Sequence, residues 1–107
     1  MTEKAIYEKL TALFSDVDEK QRALVDGAIR ELAGITVELT ELRKIAKATG
    51  HIRINPKNPL QQKEMPISRV IVRQRANYLN YIAKLSSILG RNISEEMDEL
   101  EREYGDG

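Results

Sequence analysis

VDEKQRALVDGAIRELAGITVELTELRKIAKAT, residues 17–49, can run as one unbroken helix. It holds no Pro, and Gly27 and Gly34 each cost a helix only about 1 kcal/mol relative to Ala. Val25, Ala28, Leu32, Ile35, Leu39, Leu42 and Ala46 follow one another in alternating steps of three and four, the heptad seam of a helix that meets another helix. About 32 residues at 1.5 Å each make a rod of about 48 Å. A chain of 107 residues is too small to bury such a rod fully by itself. The seam therefore predicts a partner helix, and its length favours one from a second subunit over a purely intrachain hairpin. Gly50 is placed to end the helix, with Lys44 and Lys47 near the negative end of its dipole.

Upstream, Ala5, Ile6, Leu10, Leu13 and Phe14 recur at helical spacing and predict a short amphipathic helix over Glu3–Phe14. Ser15-Asp16-Val17-Asp18-Glu19 breaks it, and Asp16 with Glu19 fits a capping box for the long helix. Downstream, HIRINPKNPLQQKEMP, residues 51–66, is a connection. His51-Ile52-Arg53-Ile54 alternates like a short extended stretch, and Asn55-Pro56 and Asn58-Pro59 are turn signals. A connection of about 16 residues exceeds the usual helix–helix loop, which marks it as functional or mobile.

Pro66 suits the first turn of a further helix that runs to Leu89, with Gly90 as its cap. Ile67, Ile71, Tyr78, Ile82, Leu85 and Leu89 share one line, and Val72, Ala76, Leu79 and Ala83 widen that face beyond what one helix covers. The other side is an arc of about 80° that holds Arg69, Arg73, Asn77, Asn80, Lys84, Ser87 and Arg91. All seven are polar and none is acidic. Arg75 stands toward the apolar side, either paired with Glu31 or Glu38 of the long helix or snorkelling at the edge of the interface. Asn92 with Glu95 fits a second capping box, ahead of a short acidic helix, Ser94–Tyr104, with Met97, Leu100 and Tyr104 on one side. Gly105-Asp106-Gly107 is expected to fray.

The expected architecture is all-α: a long antiparallel helical hairpin with short flanking helices, oligomerising through coiled-coil-like faces. It divides into a helical core, residues 1–93, and an acidic end, residues 94–107. With 41% apolar residues but only 5% aromatic, the composition suits helix-on-helix packing. The candidate oligomer interface is Val25, Leu32, Ile35, Leu39 and Leu42 on the long helix with Ile71, Tyr78 and Ile82 on the basic one.

The formal net charge is zero, but it is unevenly laid out. Residues 51–91 carry eight Lys/Arg against Glu64 alone, a balance of +7, and residues 92–107 carry seven acids against Arg102, a balance of −6. Ordinary exposed helix faces mix signs to gain i,i+4 pairs, so an acid-free arc points to phosphates. The candidate DNA-contact set is Arg53, Lys57, Lys63, Arg69, Arg73, Asn77, Lys84 and Arg91, the first three in the connection. A plain solvated face is the alternative. The acidic end has three readings: solubilising surface, a dock for a second protein, or an intramolecular cover for the basic arc.

Other chemistry finds little purchase. The chain has no Cys, which removes disulfides and thiol nucleophiles. His51 is its only histidine and has no carboxylate nearby in sequence, so no metal is expected. No glycine-rich phosphate loop, nucleophile elbow or paired-acid motif is present, and neither an enzyme nor a cofactor is expected. No apolar run reaches the length needed to cross a bilayer and no signal-peptide h-region opens the chain, so no membrane is expected and the default location is the cytoplasm.

The order of these pieces resembles the small subunit of tailed-phage terminases. A short helix with Ile6-Tyr7-Glu8-Lys9-Leu10 precedes an Asp-capped helix, Asp18–Lys47, that ends at Gly50. Asn58-Pro59-Leu60 follows in the loop, then Met65-Pro66-Ile67-Ser68, and a basic helix closes on Ser87-Ile88-Leu89-Gly90. The resemblance covers about residues 5–93. Beyond it the chain departs from the family pattern, because Arg91-Asn92-Ile93-Ser94 leads into acid.

The resemblance implies a ring-forming helical oligomer, without ATPase or nuclease, that binds double-stranded phage DNA at the packaging-start sequence. It implies a large terminase subunit as partner and the cytoplasm of an infected or lysogenic bacterium as location. It makes Arg69, Arg73 and Lys84 DNA contacts, Leu32, Ile35, Leu39 and Leu42 assembly residues, and Glu95–Tyr104 the dock for the large subunit. A structural helical protein whose basic helix and acidic tail pair between subunits is the alternative.

Overall fold

Thr2 starts the first helix by accepting a hydrogen bond from the Ala5 amide on its Oγ1 at 3.1 Å, which satisfies one of the orphan donors of a helix N-terminus. In the computed structural model, which describes residues 2–49 and 66–104, this helix is α1, Glu3–Leu13. It is followed by α2, Glu19–Thr49, α3, Pro66–Leu89, and α4, Ser94–Tyr104. The fold is all-α, with no strand among the described residues. Gly50 and the connection at 51–65, including its extended stretch and turn signals, lie outside the described residues, as do the last three positions.

The caps show what the sequence reading had right and wrong. At α2 the capping residue is Asp18 rather than Asp16. Its Oδ1 accepts from the Lys20 amide at 3.3 Å and its carbonyl from the Gln21 amide at 2.9 Å. Asp18 sits directly before the first helical residue, whereas Asp16 is two residues too early to reach those amides. At α3, Gly90 takes φ 82° and its amide donates to the Ser86 carbonyl at 2.9 Å, with the Arg91 amide joining at 3.2 Å. A side chain is strained at that φ, so glycine belongs there. Before α4, Asn92 Oδ1 accepts from the Ser94 amide at 2.8 Å while the Ile93 carbonyl accepts from Met97. Asn92 therefore shapes the turn ahead of the cap position rather than occupying it.

All four helices feed one apolar core. Ile6, Leu10 and Phe14 come from α1 and its end; Val25, Ile29, Leu32, Ala33, Ile35 and Leu39 from α2. Tyr78, Ile82 and Leu85 come from α3, and Ile93, Met97 and Leu100 from α4 and the turn before it. The acidic segment is thus part of the core rather than an appendage to it. Of the residues assigned to an inter-subunit seam, Val25, Leu32, Ile35, Leu39, Tyr78 and Ile82 are buried within the single chain, and Leu42 and Ile71 are half-buried. Two short helices make this cover possible. α1 and α4 close sides of α2 that a two-helix hairpin would leave open.

The rod still outruns its cover. The molecule measures 58 × 23 × 19 Å, and α2, at 31 residues, spans about 46 Å of the long axis. Glu19 to Leu24, its first turn and a half, are exposed. Thr36, fully buried in the middle of α2, keeps its hydroxyl satisfied by donating to the Leu32 carbonyl at 2.7 Å.

Candidate nucleic-acid interface

α3 turns one side to the core and leaves the other in solvent. Tyr78, Ile82 and Leu85 face inward. Arg69, Arg73, Asn80, Lys84 and Ser87 are exposed, and no acid lies among them. Arg69 and Arg73 are one turn apart, and Lys84 lies about 16 Å along the axis from Arg73. That span exceeds the ~12 Å width of a duplex major groove, so cations at its two ends can meet phosphates on opposite strands. Lys84 Nζ stands 5.7 Å from the centre of the Tyr81 ring, which steadies it over an apolar surface. Arg73 has no ion-pair partner among the described residues.

Two members of the expected set leave the arc. Asn77 is half-buried; its amide donates to Gln74 Oε1 at 2.8 Å, and Gln74 Nε2 donates in turn to Glu38 Oε2 at 2.7 Å. This polar ladder ties α3 to α2, and it turns Asn77 away from solvent. Arg91 is exposed, but its guanidinium donates to the Glu96 carboxylate and holds that carboxyl below the usual range. It joins α3 to α4 and offers less free charge than Arg73. Arg53, Lys57 and Lys63 lie outside the described residues. Arg75 is exposed and pairs with neither Glu31 nor Glu38; Gln74, one position earlier, takes Glu38 instead.

α4 decides whether the arc is open. Its apolar side, Met97 and Leu100 with Ile93 before them, is buried in the core. Glu103 meets Lys9 of α1 at 3.1 Å and Glu101 lies 3.9 Å from Arg43 of α2. Burial, followed by the charge and hydrogen bond of Glu101, pushes the Tyr78 hydroxyl well above the ordinary tyrosine value. The acidic helix thus docks against α1, α2 and the inner side of α3. It does not cover the arc, and its apolar side is not free for a second protein. The acids Glu95, Asp98 and Glu99 stay exposed.

Two arrangements escaped the sequence reading. Tyr7 on α1 donates its hydroxyl to Asp26 Oδ1, Arg30 Nε donates to Asp26 Oδ2 at 2.8 Å, and the Arg30 guanidinium sits 4.4 Å from the centre of the Tyr7 ring. The Tyr7 and Arg30 hydrogen bonds hold the Asp26 carboxyl below its usual value. Only the Asp26/Arg30 i,i+4 spacing was visible in the sequence. The second is a cleft of about 440 Å³ between α2, α3 and the start of α1, lined by Glu3, Glu31, Glu38, Gln74, Asn77 and Tyr81 among others. Three carboxylates give it the wrong sign for a phosphate backbone. Among the described residues no group of His, Cys, Asp or Glu is placed to hold a metal ion, and no helix is long and apolar enough to cross a membrane.

Compared with protein-family models, curated proteins and solved structures, the chain matches none of them.

Proposed function

We propose that this chain is a non-enzymatic DNA-binding adaptor, the small subunit of a phage terminase, which recognises packaging-start DNA and modulates a large subunit. One observation carries the DNA part: α3 keeps Arg69, Arg73 and Lys84 exposed on a side with no acid, while α4 docks elsewhere. The assignment to packaging rests on the ordered sequence pieces from Ile6 to Gly90. Self-assembly belongs to the same reading, because several copies of one modest basic face bind far more tightly than one. The large subunit's dock is reduced to the exposed acids of α4, since its apolar side is in the core.

Binding to fluorescent duplex DNA across a salt series tests this. Binding at low salt should weaken steeply as salt rises, and Arg73→Ala should lower the slope of log K against log salt by about 0.9 for one lost phosphate contact. Absence of binding at low salt would refute the reading. Sedimentation across the same series separates the structural alternative. An assembly held by basic and acidic helices falls apart at high salt, whereas an apolar one persists.

A further inference from the structure

The outer side of α3 is not uniformly basic. Val72 is 70% exposed and Leu79 52%, and Ala76 and Ala83, also exposed, complete a stripe with them. At 100° per residue the four fall within about 60°, and they run for about 16 Å, three turns of helix. Arg75 borders one edge and Arg73 and Lys84 lie beyond the other. This is an apolar strip with a single cation at one edge and two beyond the other.

We propose that this stripe seats an amphipathic, acid-flanked helix of a partner protein. Such a helix would lay apolar residues at i, i+4 and i+7 on Val72, Ala76 and Leu79 while its carboxylates meet Arg75 on one side and Arg73 and Lys84 on the other. Charge argues against a second copy. Two α3 stripes placed face to face would set Arg73, Arg75 and Lys84 against their own counterparts. Among the described residues the other exposed large apolar side chains, Leu24 and Ile45, lie 21 positions apart on α2, about 31 Å, so α2 offers no repeated stripe of matching length. The exposed side of α4 is acidic but presents no large apolar residue among the described positions. The stripe shares Arg73 and Lys84 with the DNA arc, whereas Leu79 and Arg75, the positions that test it, lie outside that arc.

The test uses the full chain and a synthetic helical peptide of about four turns, with Leu at i, i+4 and i+7 and Glu on both flanks. A scrambled peptide of the same composition is the control, and fluorescence anisotropy is the readout. The patterned peptide should bind at least about tenfold more tightly than the scrambled one. Leu79→Ser should weaken it by about tenfold and Arg75→Ala by about threefold, as for a central apolar anchor and a flanking charge. Both variants should keep wild-type helicity, sedimentation and affinity for duplex DNA. Equal binding of the scrambled peptide, or undiminished binding by a folded Leu79→Ser, overturns the proposal. A smaller sedimenting species for Leu79→Ser overturns it in favour of a second copy, and weakened DNA affinity for that variant overturns it in favour of a wider DNA surface.

Discussion

α3 and α4 are both amphipathic, and their charge blocks are nearly equal and opposite, yet they use their surfaces differently. α4 buries its apolar side, and Glu96, Glu101 and Glu103 each face a cation of the same chain. α3 buries one apolar line but leaves a cationic arc and an apolar stripe outside. Opposite charge alone did not pair the two helices. Burying Ile93, Met97 and Leu100 sets where α4 lies, and its exposed ion pairs follow, each adding little by itself.

The largest expected effect tests whether α4 is part of the core and the stripe is not. Met97→Ala, at a fully buried position, should cost about 2–5 kcal/mol in chemical denaturation, whereas Leu79→Ala should stay within about 0.5 kcal/mol. Similar costs at the two positions would erase the contrast. A smaller effect is expected at the joint between the helices. Arg91→Ala should lower stability by about 1 kcal/mol, because Glu96, one of whose oxygens is already buried with no partner among the described residues, loses its guanidinium. Its DNA salt slope should match wild type. Since Glu96 is held below the usual carboxylate range, its contribution is present above the unfolded-state value and is lost as pH falls through the folded-state one. Arg91→Ala should accordingly flatten the acid limb of the stability profile.

Tyr78 carries the opposite sign. Its hydroxyl titrates above the unfolded value of about 10, so the folded state stays neutral while the unfolded state ionises, and stability falls as pH rises past that value. Tyr78→Phe should remove this alkaline loss in melts at high pH. The smallest effect is a gain. A Cβ at Gly27 would meet nothing within 4 Å, so Gly27→Ala should stabilise α2 by up to about 1 kcal/mol, visible as a raised melting temperature.

The helices were legible in the sequence because each rests on local signals: the three-and-four spacing from Val25 to Ala46, the Gly90 cap and the periodicity of α3 and α4. What was not legible depends on tertiary placement. Asn77 and Arg73 are both polar residues on one helix, and only the position of Glu38 and Gln74 shows that Asn77 faces α2. The seam indicates a partner helix and its length favours one from a second subunit; within the single chain, α1, α3 and α4 all contribute to the core that buries most of it. The acidic helix indicated an apolar side without saying what it touches.

The most direct test of the open arc is the salt dependence of duplex binding by Arg69→Ala/Arg73→Ala/Lys84→Ala beside the wild-type chain. Loss of three phosphate contacts should lower the slope of log K against log salt by roughly 2.7, about 0.9 for each, with the melting temperature little changed. A triple variant that binds duplex DNA with the wild-type slope would place the DNA surface, if the chain has one, away from α3.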